Sequence, residues 1–294
     1  MNRRDLVKQF SLAAAAAFLP APVAAQAPPG KPRLRTAICA YSFRDELTKG
    51  TMKYEDLIRL GADLGVDGLD LTVYWLPQNA SDDYLLSLRR LAYRSGIDIY
   101  GIGIRAQMCR ATPELQDAEV GRLKRWLDVA DRLGARHVRV FGGAAPRDAS
   151  EEQAVGWVSE TLRKCAAIAA PRGLFLGIED DGALTEKAER LIQMVKQADS
   201  PWVGICLDIG NFRSEAYRQV ELCLPYAVNL HLKTEVNDTG KQQPLDWDRL
   251  FRMVAPAYRG YIALEYESSA PPRTAVPEAI ARLQAAVRKY APAG

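Results

Sequence analysis

The chain has 294 residues, 48% hydrophobic and 26% charged, which are the proportions of an ordinary globular protein. Its 39 basic and 36 acidic residues give a formal net charge of +3, and no run of lysines and arginines stands out. Nucleic acid is therefore not expected as a partner. The length suits one large α/β barrel or two smaller domains.

The first 27 residues have the pattern of a secretory signal peptide. Arg3 and Arg4 open a charged start, an alanine-rich apolar run follows at 10–19, and small residues continue to Ala27. The arginine pair resembles a twin-arginine export signal. The apolar run is too short to span a bilayer, so no stable membrane insertion is expected once the signal is removed.

The sequence is thus divided into three predicted parts. Residues 1–27 form a cleaved signal peptide, residues 28–34 a linker rich in Pro and Gly, and residues 35–294 a single domain. We expect that domain in the periplasm or outside the cell. The five scattered cysteines do not suggest a disulfide framework, which fits a route that exports proteins already folded.

Strand-like and helix-like segments alternate eight times after the linker. The predicted strands are 36–42, 68–72, 97–105, 137–141, 174–179, 203–208, 227–234 and 260–266. The predicted helices are 51–64, 81–95, 113–133, 150–170, 184–198, 214–222, 245–254 and 276–290. Eight such units without a domain-sized shift in composition predict an α/β fold of the (β/α)8 TIM barrel type. A doubly wound open sheet is the alternative, but the first strand lacks a following Gly-x-Gly-x-x-Gly.

Four ionisable residues end four successive predicted strands, and they are Glu179, Asp208, His231 and Glu265. Their spacings of 29, 23 and 34 residues each match about one strand–helix unit. Because the carboxyl ends of barrel strands converge on one face, this spacing gathers the four side chains. The alternation of each strand turns them inward, with large aliphatic residues on the opposite face. Any one of them alone is as readily structural, but the set of four predicts a site.

Three carboxylates and one imidazole form a hard, oxygen-rich set of ligands. We expect this set to bind one divalent metal ion, with Mn²⁺ favoured and Mg²⁺, Co²⁺ or Zn²⁺ as alternatives.

The segments around these residues resemble the metal-binding strand ends of the xylose-isomerase-like TIM barrels. They are Gly177–Glu179, Cys206–Asn211, Asn229–Lys233 and Ile262–Tyr266, and Val138–Gly143 on the fourth strand is also similar. The resemblance covers about residues 35 to 290. The superfamily includes sugar epimerases, inosose dehydratases, hydroxypyruvate isomerases and endonuclease IV. The histidine-rich trinuclear site of endonuclease IV has no counterpart here, since the only other histidine, His137, starts its strand at the opposite face.

The resemblance to the epimerases implies a mechanism. It implies that the four residues hold one metal ion, which chelates a substrate carbonyl and an adjacent hydroxyl. It also implies that Glu179 and Glu265 act as acid and base on the two sides of the α-carbon, through an enediolate. Many epimerases carry His where this chain has Asn211, and Asn cannot relay a proton at neutral pH.

Further polar and aromatic residues near the strand ends are candidates for binding the substrate. They are Lys233, Asn211, Arg105, Tyr41 and Trp75. Lys233 shares the inward register of His231, and Trp75 could stack on the face of a sugar. The polar segment 234–244 is expected to be a loop that serves as a lid.

The function expected from the sequence is metal-dependent isomerisation or epimerisation of a small carbohydrate, a sugar or keto-sugar. A lyase or hydratase acting on a keto-sugar or keto-glycoside would use the same metal and the same enolate, and a carbohydrate-binding protein without catalysis is the third reading. Assembly into a homo-oligomer is also compatible with the sequence.

Overall fold

A computed structural model describes residues 33–291 of the chain. The predicted signal peptide and most of the predicted linker lie outside the described residues. Leu34, which the sequence placed in the linker, begins the first strand.

Eight parallel strands close into a barrel, and a two-stranded hairpin is inserted between the seventh and the last of them. In chain order the strands are β1 (Leu34–Cys39), β2 (Gly68–Thr72), β3 (Asp98–Gln107), β4 (His137–Phe141), β5 (Phe175–Glu179), β6 (Val203–Asp208), β7 (Ala227–Leu232), β8 (Glu235–Asp238), β9 (Lys241–Pro244) and β10 (Gly260–Leu264).

The barrel closes because β1 pairs in parallel with β10 on one side and with β2 on the other. Around the remainder of the barrel each strand pairs with the next barrel strand along the chain. This arrangement confirms the predicted (β/α)8 TIM barrel. The carboxyl ends of all eight barrel strands consequently lie on one face.

Nine α-helices accompany the strands in the described part of the chain. They are α1 (Arg44–Lys49), α2 (Tyr54–Asp63), α3 (Asp82–Arg94), α4 (Pro113–Leu133), α5 (Glu151–Ala169), α6 (Ala188–Ala198), α7 (Ala216–Cys223), α8 (Trp247–Ala257) and α9 (Pro272–Tyr290).

The helix ends follow from local chemistry. Ser81, Thr112, Ser150 and Asp246 each accept a hydrogen bond from a backbone N–H in the first turn of the following helix. At the other end, glycines such as Gly134, with φ at 86°, take the left-handed conformation that ends a helix. Both signals were readable in the sequence, which explains why α4 agrees with its predicted bounds.

The hydrophobic core has two separate parts. The larger part lies between the outer face of the barrel and the helices, and it contains the aliphatic residues of the strands. A small cluster of Ala37, Cys39 and Ala263 lies within the barrel. Small residues in the barrel interior leave volume for the polar side chains above them.

The segment 234–244, expected to be a loop, forms the hairpin of β8 and β9 instead. Thr239 and Gly240 have φ of 54° and 75°. Two central residues with positive φ make the tight turn that joins antiparallel strands. Val236 is buried in the larger part of the hydrophobic core, so the hairpin packs against the rest of the domain. Other differences are smaller: α1 was not predicted, and β10 ends at Leu264, so that Glu265 follows the strand.

None of the helices among residues 33–291 combines the length and the apolar character that crossing a bilayer requires.

We predict that Gly177→Ala destabilises the barrel. A Cβ atom at Gly177 would lie 2.3 Å from Nε2 of His137 and 3.0 Å from Cβ of Cys206, inside the close-packed barrel. Overpacking of this kind costs about 1–3 kcal/mol of unfolding free energy. Equilibrium unfolding in urea measures the change.

Gly156→Ala is the matched control. This glycine is exposed within α5, and no atom lies within 4 Å of an added Cβ. Alanine in a helix interior is expected to stabilise the protein by roughly 0.5–1 kcal/mol. Equal stability of the two variants would contradict the proposed packing of the barrel interior.

Candidate metal centre

The four residues predicted to form a site meet at the carboxyl face of the barrel. Glu179 and Asp208 are the last residues of β5 and β6, His231 is the penultimate residue of β7, and Glu265 directly follows β10. Each offers one ligand atom, and these atoms all lie within 4.8 Å of one another. All four side chains are buried.

The orientation of the His231 ring is set by a carboxylate beneath it. Nε2 of His231 lies 3.1 Å from Oδ2 of Asp70 on β2. In the neutral imidazole, donation of the Nε2 proton to this carboxylate leaves the lone pair on Nδ1. Nδ1 faces Oε1 of Glu179 at 3.3 Å and Oε2 of Glu265 at 3.5 Å. This tautomer turns a ligand atom towards the two glutamates, as in carboxylate–histidine–metal triads.

Asp70 is in turn held by a polar column inside the barrel. The side-chain amide of Asn229 donates a hydrogen bond to Oδ2 of Asp70 at 2.8 Å. The hydroxyl of Tyr100 donates to Oδ1 of Asn229 at 3.0 Å, and its ring stacks on Tyr261. The ring of His231 is thereby connected to rigid groups deeper in the barrel.

Lys233 neutralises part of the acidic charge. Its Nζ lies 2.9 Å from Oδ2 of Asp208 and 2.9 Å from Oε1 of Glu267. It also donates to Oδ1 of Asn211 at 2.5 Å. Gly210 leaves room for the lysine stem, because a Cβ there would lie 2.6 Å from it. Lys233 and Asn211, both predicted to bind substrate, thus contact each other.

Arg139 is a site residue that our sequence reasoning missed. This buried guanidinium on β4 lies 3.5 Å from Oε2 of Glu179 and donates to the hydroxyl of Tyr74 at 2.8 Å. The alternation of β4 contained the signal, since His137, Arg139 and Phe141 share the inward register. On β2 the sequence does predict that Asp70 faces inward, but not its contact with His231, which joins residues 161 positions apart.

The electrostatics of the four residues are those of a cation site. Burial raises the pKa of Asp208 to about 8, against the opposing charge of Lys233. Burial acts the same way on Glu265, but His231 and Lys233 hold the pKa of Glu265 well below its usual value. Burial would lower the pKa of His231, yet the acidic groups around it, Glu265 among them, raise it well above its usual value. The cluster therefore retains protons that a bound cation would replace.

Unpartnered atoms support the same conclusion. Oε1 of Glu179 and Nδ1 of His231 are buried and form no hydrogen bond within the described residues. Buried polar atoms without partners are rare in folded proteins. These two atoms lie 3.3 Å apart, close enough to bind the same ion, so the residues present fit a divalent metal ion.

Two alternative sets of ligands include a thiol. One combines Cys39 with His231 and Glu265, and the other combines Cys206 with Glu179 and His231. Burial raises the pKa of Cys206 to about 12, which disfavours the thiolate needed for coordination. The set of three carboxylates and one imidazole is therefore favoured.

A cavity of about 380 Å³ opens above the cluster. Tyr41, Arg105, Asn211 and Lys233, four of the five predicted substrate-binding residues, line it. Trp75 is not among the lining residues within the described structure. Its indole instead donates to Oγ1 of Thr48 at 2.8 Å and packs against Tyr41 and Tyr74. Tyr74, which does line the cavity, is the aromatic residue placed to meet a ligand.

Solved structures with the same fold include several sugar epimerases. D-psicose 3-epimerase from Clostridium cellulolyticum H10, solved with D-tagatose, is 15% identical with a TM-score of 0.69, over 88% of this chain and 100% of that one. The apo form of 3-keto-D-glucoside 4-epimerase from E. coli is 16% identical with a TM-score of 0.67, over 87% and 100%. The IOLI protein with a bound zinc atom is 17% identical with a TM-score of 0.70, over 87% and 99%. At these identities the similarity establishes the fold.

Among curated proteins, none matches the sequence significantly. Residues 58–286 match the protein family described as the xylose isomerase-like TIM barrel. This match covers most of the described barrel and includes all four residues of the candidate metal centre. The chain belongs to the xylose isomerase-like TIM barrel family.

Proposed function

We propose that the protein is a divalent-metal-dependent isomerase or epimerase of a sugar or keto-sugar. The observation that carries the proposal is the buried cluster of Glu179, Asp208, His231 and Glu265 at the base of a polar cavity. Sugar epimerases and a zinc-binding protein among the structural neighbours support a carbohydrate substrate and a metal ion. A bound ion would act as a Lewis acid that stabilises negative charge on a substrate oxygen. The oxygen-rich set of ligands favours Mn²⁺.

The two glutamates are proposed to move the proton on the α-carbon. Glu265 is ionised at neutral pH, because His231 and Lys233 lower its pKa against the effect of burial, so it can accept a proton. Glu179 also lies close to Nδ1 of His231, at 3.3 Å, and is held by Arg139. Two carboxyl groups on opposite sides of a substrate carbon allow one to remove the proton and the other to return it on the other face.

The polar lining of the cavity is proposed to orient the substrate. Lys233 and Asn211 lie together on one side, and Tyr41 and Arg105 also face the cavity. The guanidinium of Arg105 stacks over the ring of Tyr74 at 4.0 Å from its centroid. Cationic and amide donors of this kind hydrogen-bond to sugar hydroxyls and carbonyls.

A lyase acting on a keto-glycoside is the second candidate. It would begin with the same proton abstraction and continue by eliminating the group at the β-carbon. A larger cavity that adjoins the metal centre favours it, because that space can receive a leaving group. Analysis of products distinguishes the two, since only the lyase releases a second molecule.

We predict that substitutions at the ligands and at the residue that orients His231 weaken Mn²⁺ binding to different extents. Asp208→Asn removes a ligand and should abolish stoichiometric Mn²⁺ binding. Asp70→Asn weakens the acceptor that orients His231 and should lower metal affinity by about 10–100-fold. Metal content after equilibrium dialysis, together with titration calorimetry, measures both effects.

Cys206→Ala is the matched control, because Cys206 lies on the same strand and the same face as Asp208, two residues away. Its metal content should equal that of the wild type. Loss of the ion in Cys206→Ala, with retention in Asp208→Asn, would show that the ligand set of Cys206, Glu179 and His231 is the correct one.

We predict that proton transfer requires both glutamates. In D₂O the wild type should incorporate deuterium at the α-carbon of a keto-sugar, while Glu179→Gln and Glu265→Gln should each lose at least about 100-fold in rate at saturating Mn²⁺. NMR of the recovered sugars measures the incorporation.

Glu267→Gln changes another carboxyl group of the same cavity and should lose less than about tenfold, because that residue contacts Lys233 and not the cluster. If the wild type exchanged no α-proton in any sugar of a broad panel, with each candidate metal, the protein would be a carbohydrate-binding barrel without catalysis.

We also propose that the chain is exported by the twin-arginine route. The proposal rests on the sequence of residues 1–27 and on the five cysteines, which are all buried and free. A protein without disulfides can fold before export. Replacing Arg3 and Arg4 by Lys should retain the precursor in the cytoplasm, as cell fractionation would measure; unchanged distribution would contradict this route.

A further inference from the structure

A second cavity lies beside the metal centre on the carboxyl face of the barrel. It has a volume of about 620 Å³ and is therefore larger than the 380 Å³ cavity above the metal cluster. The two cavities meet, because Phe141 and Asp181 line both. We call the larger one the flanking cavity.

The flanking cavity begins next to a proposed catalytic group. Phe141 is the direct sheet partner of Glu179, and Gln107 is in turn the partner of Phe141. Asp181 follows Glu179 by two residues. The boundary between the two cavities, at Phe141 and Asp181, thus lies next to Glu179 of the metal cluster. A substrate bound at Glu179 would have its remaining part directed over Phe141 and Asp181.

Small residues keep the flanking cavity open. They come from the loop between β4 and α5 and from the loop between β5 and α6, and they are Gly143, Ala144, Ala145, Ala149, Gly182 and Ala183. The two loops approach closely beneath the cavity, since a Cβ at Gly142 would lie 2.5 Å from Cγ2 of Thr185. The space is therefore bounded by short side chains on backbone that is held in place.

The chemistry of the lining fits an uncharged polyhydroxyl group. The cation of the flanking cavity, Arg190, is paired with Glu151 through contacts of 2.6 and 2.7 Å. In the part of the chain that the structure describes, the amide of Gln107 and the carboxyl of Asp181 line the cavity without a side-chain hydrogen bond or ion pair. An amide, a carboxylate and an aromatic ring recognise hydroxyls and the apolar face of a sugar ring, whereas a phosphate needs a free cation.

A third cavity, of about 360 Å³, adjoins the metal centre on the opposite side and shares Tyr74 and Arg105 with it. Three of its four arginines are paired with other groups. Arg110 and Arg122 both contact Glu119, and Arg125 contacts the carbonyl of Gln78. The flanking cavity is the roomier of the two extensions.

We propose that the flanking cavity binds the second sugar unit of an uncharged glycoside, so that the substrate is a keto-disaccharide and not a free or phosphorylated monosaccharide. The proposal rests on the proposed function for the chemistry at the first ring. Small-molecule sites of about 300–1,000 Å³ enclose most of their ligand. The 380 Å³ cavity above the metal cluster lies at the lower end of that range, which suits one sugar ring beside an ion. The flanking cavity adds room for a second sugar ring.

Equilibrium binding to the Mn²⁺-loaded full chain tests the proposal without turnover. The probes are methyl glucoside, glucose phosphate, and the disaccharides trehalose, maltose and cellobiose, all of which lack a ketone. At least one disaccharide should bind about tenfold or more tightly than methyl glucoside, and glucose phosphate should show no such gain. Ala183→Trp and Ala144→Trp fill the flanking cavity from its two loops and should each remove the advantage of the disaccharide.

Gln78→Trp is the matched control, because its exposed side chain lines the third cavity and the variant should preserve the preference. The proposal would be overturned if the wild type bound methyl glucoside and the disaccharides with equal affinity. It would also be overturned if both Ala183→Trp and Ala144→Trp kept the preference for a disaccharide. If the protein preferred disaccharides but exchanged no α-proton, the proposed function would be wrong, while the binding of a second sugar unit would still be supported.

Discussion

The burial of three carboxyl groups and one imidazole within a few ångströms is the constraint on which the rest of the structure depends. Each buried carboxylate is costly unless opposite charge or hydrogen bonds compensate it. Lys233 and Arg139 supply two positive charges, yet burial still raises the pKa of Asp208 to about 8. The chain therefore concentrates more acid than its own cations neutralise. A divalent ion would remove this imbalance, and the barrel supplies the stability that keeps the four groups together without it.

The barrel interior is built to hold that constraint. Gly177, which lies beneath Glu179, leaves room for His137, and Gly210 leaves room for the stem of Lys233. Below the cluster, the hydrogen bonds from Asn229 to Asp70 and from Tyr100 to Asn229 fix the carboxylate that orients His231. Hydrogen bonds of this kind hold a side chain in the orientation that metal binding would require. The upper part of the barrel interior therefore contains positioned polar side chains in place of packed hydrophobic ones.

The sequence predicted the architecture and the cluster, because both depend on local periodicity. The strand–helix alternation determines the barrel, and the ends of its strands determine where Glu179, Asp208 and Glu265 lie. What it did not predict depends on pairings between distant segments. The contact of Asp70 with His231 follows from the closure of the barrel. Trp75 was expected in the cavity, but a hydrogen bond to Thr48 holds it outside.

The hairpin of β8 and β9 shows a different reason for a wrong expectation. Polar residues between Thr234 and Pro244 have the composition of a loop, and composition does not report hydrogen bonds between strands. The decisive feature is the pair Thr239–Gly240, whose positive φ values make a two-residue turn. The burial of Val236 and the contact of Thr234 with Ser268 attach this paired segment to the rest of the domain. The flanking cavity is lined instead by the loops after β4 and β5, and the close approach of Gly142 to Thr185 holds these two loops together.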